Sequence, residues 1–130
     1  MNAVLDSPLC IAVVGPCSAG KSTLTSALRE AGYKARHPAQ EHSCVPDMWL
    51  RLSNPDILIF LDLSYEQARA RRPHIDGGPR RLQEQYDRLA HAREHCDYYL
   101  DTSDMNPQEV RRAVFVFLNG YLSQRGVDGL

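Results

Sequence analysis

The stretch GPCSAGKST, residues 15 to 23, sets one of the chain's two lysines between a glycine and two hydroxyl residues. Residues 15 to 22 match the spacing G-x-x-x-x-G-K-[ST] in full. Gly15 and Gly20 permit backbone angles that turn successive N–H groups inward on an anion. A helix starting near Lys21 adds unsatisfied amides and a partial positive charge at the same place. Lys21 can reach β- and γ-phosphates as a point charge, and the Ser22 hydroxyl can ligate Mg²⁺. Thr23 follows where its hydroxyl or amide could meet the α-phosphate. Gly15, Pro16, Cys17, Ser18, Ala19, Gly20, Lys21, Ser22 and Thr23 are therefore the candidate nucleotide-binding residues.

Phosphate chemistry also needs an acid, to hold Mg²⁺ through water or to accept a proton from the nucleophile. Glu41 and Asp62 compete for that role. Asp62 closes the strongest apolar run, DILIFLDL; Glu41 closes a weaker one, YKARHPAQE, expected to lie beside residues 9–14. Glu41 is preferred, as catalytic partner of Lys21 and as metal ligand with Ser22, and Asp62 stays open as the alternative. The stretch EHSCVPDMWLRLSNP, with His42, Ser43, Asp47, Trp49 and Arg51, is the one available to bind an acceptor. Met48 and Trp49 within it read as core or interface residues. His91 and His95 stand one helical turn apart beside Cys96, a spacing zinc could use. That helix is polar throughout and offers no fourth ligand, so it reads as a solvated face.

The elements that must position these groups alternate between strand and helix. LCIAVV (9–14) is a short apolar run with β-branched residues, suited to a strand buried on both faces. From Lys21 a helix carries Leu24, Ala27, Leu28 and Ala31 on one side, with Gly32 placed to stop it. After DILIFLDL, Ser64 and Gln67 predict a helix cap. PHIDGGPRR (73–81) reads as a charged loop, RLQEQYDRLAHAREHC (81–96) as a helix and DYYLD (97–101) as a strand. The last helix opens at Asn106, Pro107 and Glu109, with an apolar stripe through Val110, Val114, Phe117, Leu118 and Tyr121. Buried parallel strands separated by helices predict a three-layer α/β/α sandwich of about four strands. Ligands should then bind beyond the carboxyl ends of the strands, where Gly15 lies.

With its motif and context the chain resembles the P-loop NTPases, and within them the small nucleotide and small-molecule kinases. DILIFLDLSYEQARARR looks like their fourth core strand and the helix entering the lid; CDYYLDTSDMNPQEV is similar to their final strand, base loop and C-terminal helix. The resemblance implies one P-loop domain over residues 1–130 with a lid-like segment at 69–81. It makes Arg69, Arg71 and Arg72, with Arg80 and Arg81 beyond the loop, candidates to stack on adenine or clamp phosphate. It also sets the Asp62 strand across from the position of the acid that serves magnesium, which favours Glu41. The guanine-reading N/T-K-x-D motif is absent, so ATP is the expected nucleotide. Only residues 33–55 fill the space where such kinases carry a further strand and an acceptor-binding insertion.

The composition suits a single soluble globular domain of 130 residues: 43% hydrophobic, 24% charged, net charge −1. That balance gives no global field for nucleic acid or a membrane surface. Four scattered cysteines without a CxxC pair argue against a disulfide framework, and a cytoplasmic setting is expected. The leading expectation is an ATP- and Mg²⁺-dependent kinase-like protein acting on an unidentified small-molecule acceptor. The alternative is a nucleotide-binding switch or interaction module without kinase activity.

Overall fold

The computed structural model describes residues 9–71 and 78–129. Four parallel strands, β1 (Cys10–Val14), β2 (Lys34–Arg36), β3 (Ile57–Asp62) and β4 (Tyr98–Asp101), form one sheet in the order β2-β1-β3-β4. Around it lie α1 (Lys21–Glu30), α2 (Met48–Ser53), α3 (Tyr65–Arg71), α4 (Gly78–His95) and α5 (Pro107–Gly129). The chain leaves β1 for β2 on one side and returns to β3 on the other. That reversal opens a crevice at the carboxyl ends of the central strands.

β1 and β3 are apolar throughout because both faces are covered. Ile11, Val13, Ile57, Ile59 and Leu61 pack with Leu24 and Leu28 of α1 and with Val110, Val114 and Leu118 of α5. The alternate residues Ala12, Val14, Leu58 and Phe60 pack with Trp49 of α2 and with Leu89 and Ala92 of α4. Two cores on opposite faces of one parallel sheet are consistent with a three-layer sandwich. Each fully buried Leu, Ile or Phe contributes about 2 kcal/mol relative to exposure. Asp56 and Asp97 close the strand starts: their carboxylates accept from the amides of Cys10 at 2.8 Å and Leu58 at 2.7 Å.

The predicted caps form. Ser64 Oγ accepts from the Gln67 amide at 3.3 Å. Asn106 and Glu109 exchange side-chain-to-backbone bonds of 2.8 and 2.9 Å, a reciprocal capping box at the head of α5. Two expectations need correction. The second strand stops at Arg36, two residues before Pro38, and Gln40–His42 form a single 3₁₀ turn, so Glu41 sits on that turn. The stretch expected to serve an acceptor contains α2, and its Trp49, read as a core or interface residue, is 5% exposed and belongs to the core. Of the predicted charged loop 73–81, residues 78 to 81 already belong to α4, and the rest lies outside the described residues. Among the described residues no helix is long and apolar enough to cross a membrane.

Gly15 is where the sheet and the loop after β1 touch most closely. A β-carbon there would lie 2.0 Å from the Leu61 carbonyl oxygen, and φ is +154°. A strand carbonyl cannot yield without breaking the sheet, so this position requires glycine. Gly20 also has a positive φ, +97°, but open space around it. Gly15→Ala is therefore expected to cost about 3 kcal/mol of stability, and Gly20→Ala about 1 to 2. Urea unfolding checks the ranking; equal costs would contradict the close approach at Leu61.

Candidate functional site

Residues 15 to 20 form the loop between β1 and α1. Gly20, in the left-handed region, precedes α1 without a side-chain cap, which leaves the helix's first amides unpaired. Ala19 N–H donates to Pro16 O at 3.3 Å and Cys17 N–H to Gln85 Oε1 of α4 at 3.0 Å. The amides of Ser18, Gly20, Lys21, Ser22 and Thr23 make no hydrogen bond among the described residues. Ser18 is itself held at φ 72°, an unusual angle for a residue with a side chain.

Lys21 folds its ammonium back under the loop. Nζ donates to Gly15 O at 2.6 Å, Pro16 O at 3.3 Å and Glu41 Oε2 at 2.5 Å. The ion pair is nearly dry, with side-chain exposures of 10% for Lys21 and 6% for Glu41. The second oxygen, Glu41 Oε1, is buried without a hydrogen-bond partner among the described residues. A carboxylate in such a place retains unused acceptor capacity. His42, exposed on the same turn, brings Nε2 to 3.8 Å from Glu41 Oε2 and 3.5 Å from Cys17 Sγ.

Neighbouring residues fix Glu41. Gln40 is fully buried; its amide donates to Val45 O and Arg88 O, and its oxygen accepts from the Trp49 amide at 2.8 Å. Arg88 adds a bond of 3.3 Å to the Glu41 carbonyl. Asp62, the rival acid, is engaged elsewhere. Its carboxylate accepts from Leu63 N–H at 2.7 Å and Tyr86 OH at 2.6 Å, and from Tyr99 OH. The structure thus brings Glu41, and not Asp62, onto Lys21.

On the other side of the loop a cleft of about 470 Å³ is lined by Ser18, Ala19, Gly20, Thr23, Met105 and Pro107, among others. Arg71 borders it and donates to Ser18 O at 2.9 Å, Thr102 O at 2.6 Å and Met105 O at 3.5 Å. Its guanidinium fastens α3 to two loops at the edge of the cleft. Thr102, fully buried, places its hydroxyl within reach of Ala19 O and Asp62 O. Ser22 and Thr23 stand exposed on the first turn of α1, and Arg69 is exposed on α3. Arg72 lies outside the described residues, and Arg80 and Arg81 are exposed in the first turn of α4.

Some partners had no sequence signal. Gln85 lies on the inward stripe of Leu82, Leu89 and Ala92, so helical spacing turns it inward, but nothing in the sequence names Cys17 as its partner. Tyr86 finds Asp62 only through the packing of α4 on the sheet, and Tyr99 only through the pairing of β4 with β3. His91 and His95 stack at 4.2 Å, and His91 Nδ1 accepts from the Trp49 indole at 3.2 Å, so these histidines support the core. No protein-family model matches the chain, and no curated protein matches it either.

The tyrosines about Asp62 give a pH signature. Burial, then the bond to Asp62 and its negative charge, push Tyr99 up to about 12, and the same causes raise Tyr86 above its usual range. A phenol kept neutral in the fold stabilises it below the unfolded value near 10, and that stability is lost as pH rises through the folded value. Unfolding free energy is expected to fall between pH 10 and about 12, and to fall less steeply in Tyr99→Phe. Urea titrations across that window check it; parallel curves for both proteins would remove the Tyr99–Asp62 coupling.

Proposed function

We propose that the chain is a minimal P-loop NTPase, a kinase-like protein that binds ATP with Mg²⁺ and transfers the γ-phosphoryl group to a small-molecule acceptor. The observation that carries this reading is the loop of residues 15 to 23: three of its unpaired amides, those of Ser18, Gly20 and Thr23, belong to residues lining a nucleotide-sized cleft, with Lys21 enclosed beside them. Clefts that hold small ligands span about 300 to 1,000 Å³. The base would lie between Arg71, Met105 and Pro107, and the phosphates would lie against Ser18, Gly20, Lys21, Ser22 and Thr23.

Catalysis in such a site rests on positioning and charge neutralisation. Lys21 stabilises charge on the β- and γ-oxygens. Glu41, already oriented by the Gln40 network, orients the nucleophile or accepts its proton. The unpaired Oε1 of Glu41 and the exposed Ser22 hydroxyl fit a hard divalent cation. Bound Mg²⁺ supplies further neutralisation of the phosphate charge.

A second reading, a nucleotide-binding switch or interaction module, has its own support. α2 fills the acceptor stretch, and Val45, Leu50 and Leu52 on and beside it are exposed at 44%, 39% and 60%. Exposed apolar side chains grouped on one short helix suit a partner surface better than an acceptor pocket.

Lys21→Ala is expected to weaken ATP binding by about 30- to 150-fold, the loss of a charge-assisted contact of about 2 to 3 kcal/mol. Calorimetry on folded variant and wild type checks this, and equal affinities would refute the phosphate reading. ATP should also bind more tightly than GTP, which a competition titration decides. Glu41→Gln is expected to keep ATP affinity within a few-fold and to lower turnover by about a hundredfold. Turnover across a panel of acceptors reads that effect. ATP binding without turnover for any acceptor in the wild type would favour the switch.

A further inference from the structure

We propose that Cys17, Glu41 and His42 form a binding site for a soft divalent transition metal, of which Zn²⁺ is the probe, on the flank of the loop after β1. The donor atoms of these three residues lie within 4.8 Å of one another. They come from two segments, the loop at Cys17 and the 3₁₀ turn at Gln40–His42, that α4 holds together through Gln85 and Arg88. The Sγ–Nε2 separation of 3.5 Å is close to the edge of a tetrahedron about zinc. Zn–S and Zn–N bonds of about 2.3 and 2.05 Å at a tetrahedral angle give about 3.6 Å. Nε2 lies 3.8 Å from Glu41 Oε2, the oxygen that also holds Lys21, so the carboxylate joins the metal by sharing Oε2 or by turning Oε1 toward it.

Two further features point to a ligand. Glu41 is more than nine-tenths buried and one of its oxygens has no partner, so the carboxylate can add a ligand without losing a bond. His42 is half exposed on the outer side, which leaves the pair Cys17–His42 open to an entering ion. The donor set itself selects the metal. Thiolate and imidazole are poor partners for Mg²⁺ and good ones for zinc or cobalt. Three protein ligands leave one coordination position for water. On binding, the Cys17 thiol releases its proton to solvent and becomes a thiolate donor, so affinity rises with pH.

This inference does not depend on the nucleotide reading, because Cys17 and His42 have no role in it beyond the loop backbone. It does place two claims on Glu41, which would hold Lys21 and the metal through one carboxylate.

The test uses the full-length chain under a phosphine reductant, titrated with Co²⁺ and with Zn²⁺ against a chromophoric chelator. One equivalent of Co²⁺ should give a thiolate-to-cobalt charge-transfer band, displaced by Zn²⁺ and unaffected by excess Mg²⁺. Cys17→Ser should abolish the band, while Cys44→Ser, at an exposed cysteine, should keep it. His42→Ala, at a surface position that the fold does not need, should weaken Zn²⁺ binding by at least about tenfold. Absence of the band, its loss in Cys44→Ser, or unchanged Zn²⁺ affinity in His42→Ala would overturn the site. ATP affinity is measured separately on metal-free protein, so failure of one proposal leaves the other standing.

Discussion

The ion pair between Lys21 and Glu41 is the contact on which the arrangement of the site depends. Charges removed from water cost several kcal/mol each, and a buried pair holds only where geometry and further hydrogen bonds offset that loss. Here the ammonium has three oxygen partners: Gly15, Pro16 and Glu41. The carboxylate is less well provided, with one oxygen unpaired. Its position is maintained by the backbone on which it sits. Gln40 and Arg88 fix that backbone, and Gln40 in turn binds α2 through the Trp49 amide. A cluster of polar bonds therefore connects the loop at residues 15 to 20 with the helical layer formed by α2 and α4.

A second set of bonds holds the same loop from the opposite side. Gly15 lies against Leu61 without room for a side chain, Arg71 reaches Ser18, and Thr102 reaches Ala19. These contacts join the loop to the carboxyl end of β3, to α3 and to the loop after β4. The bonds from the loop to the rest of the fold mostly use its carbonyls. The amides, apart from those of Cys17 and Ala19, are left over. A loop whose acceptors are satisfied and whose donors are not presents positive potential, and that asymmetry follows from the backbone turns at Gly15, Ser18 and Gly20.

Much of this was legible in the sequence, and the reasons are local. β1 and β3 are apolar because they are central, and their continuous runs could be read directly. The cap at Asn106–Glu109 depends on residues three apart and needs no tertiary information. Glu41 was identified by type and by order along the chain, but its backbone was misread. Pro38 lacks an amide for the ladder, so the strand ends at Arg36 and the turn forms afterwards. The partners of the site were not legible. Gln85 joins Cys17 across 68 residues and Tyr86 joins Asp62 across 24, both from α4. Helical spacing sets Gln85 on the inward face with Leu89 and Ala92, but it says nothing of what that side chain meets across the fold. The pairing of Cys17 with His42, 25 residues apart, has no spacing rule for the same reason.

The two acids illustrate what decides a carboxylate's chemistry. Asp62 ends the most apolar strand and is 8% exposed, yet its neighbours are neutral phenols and a backbone amide. Such donors stabilise its charge and use up its oxygens, so it acts as a joint between β3, β4 and α4. Glu41 is 5% exposed, but its partner is a cation that other anions can attract. An anion arriving at the loop competes with Glu41 for Lys21, and any release of the ammonium leaves a buried carboxylate uncompensated. That cost must be met by another cation at Glu41, and the unpaired Oε1 is where one can be received. In the proposed site, phosphate and cation binding at this loop would therefore be thermodynamically linked through a single side chain.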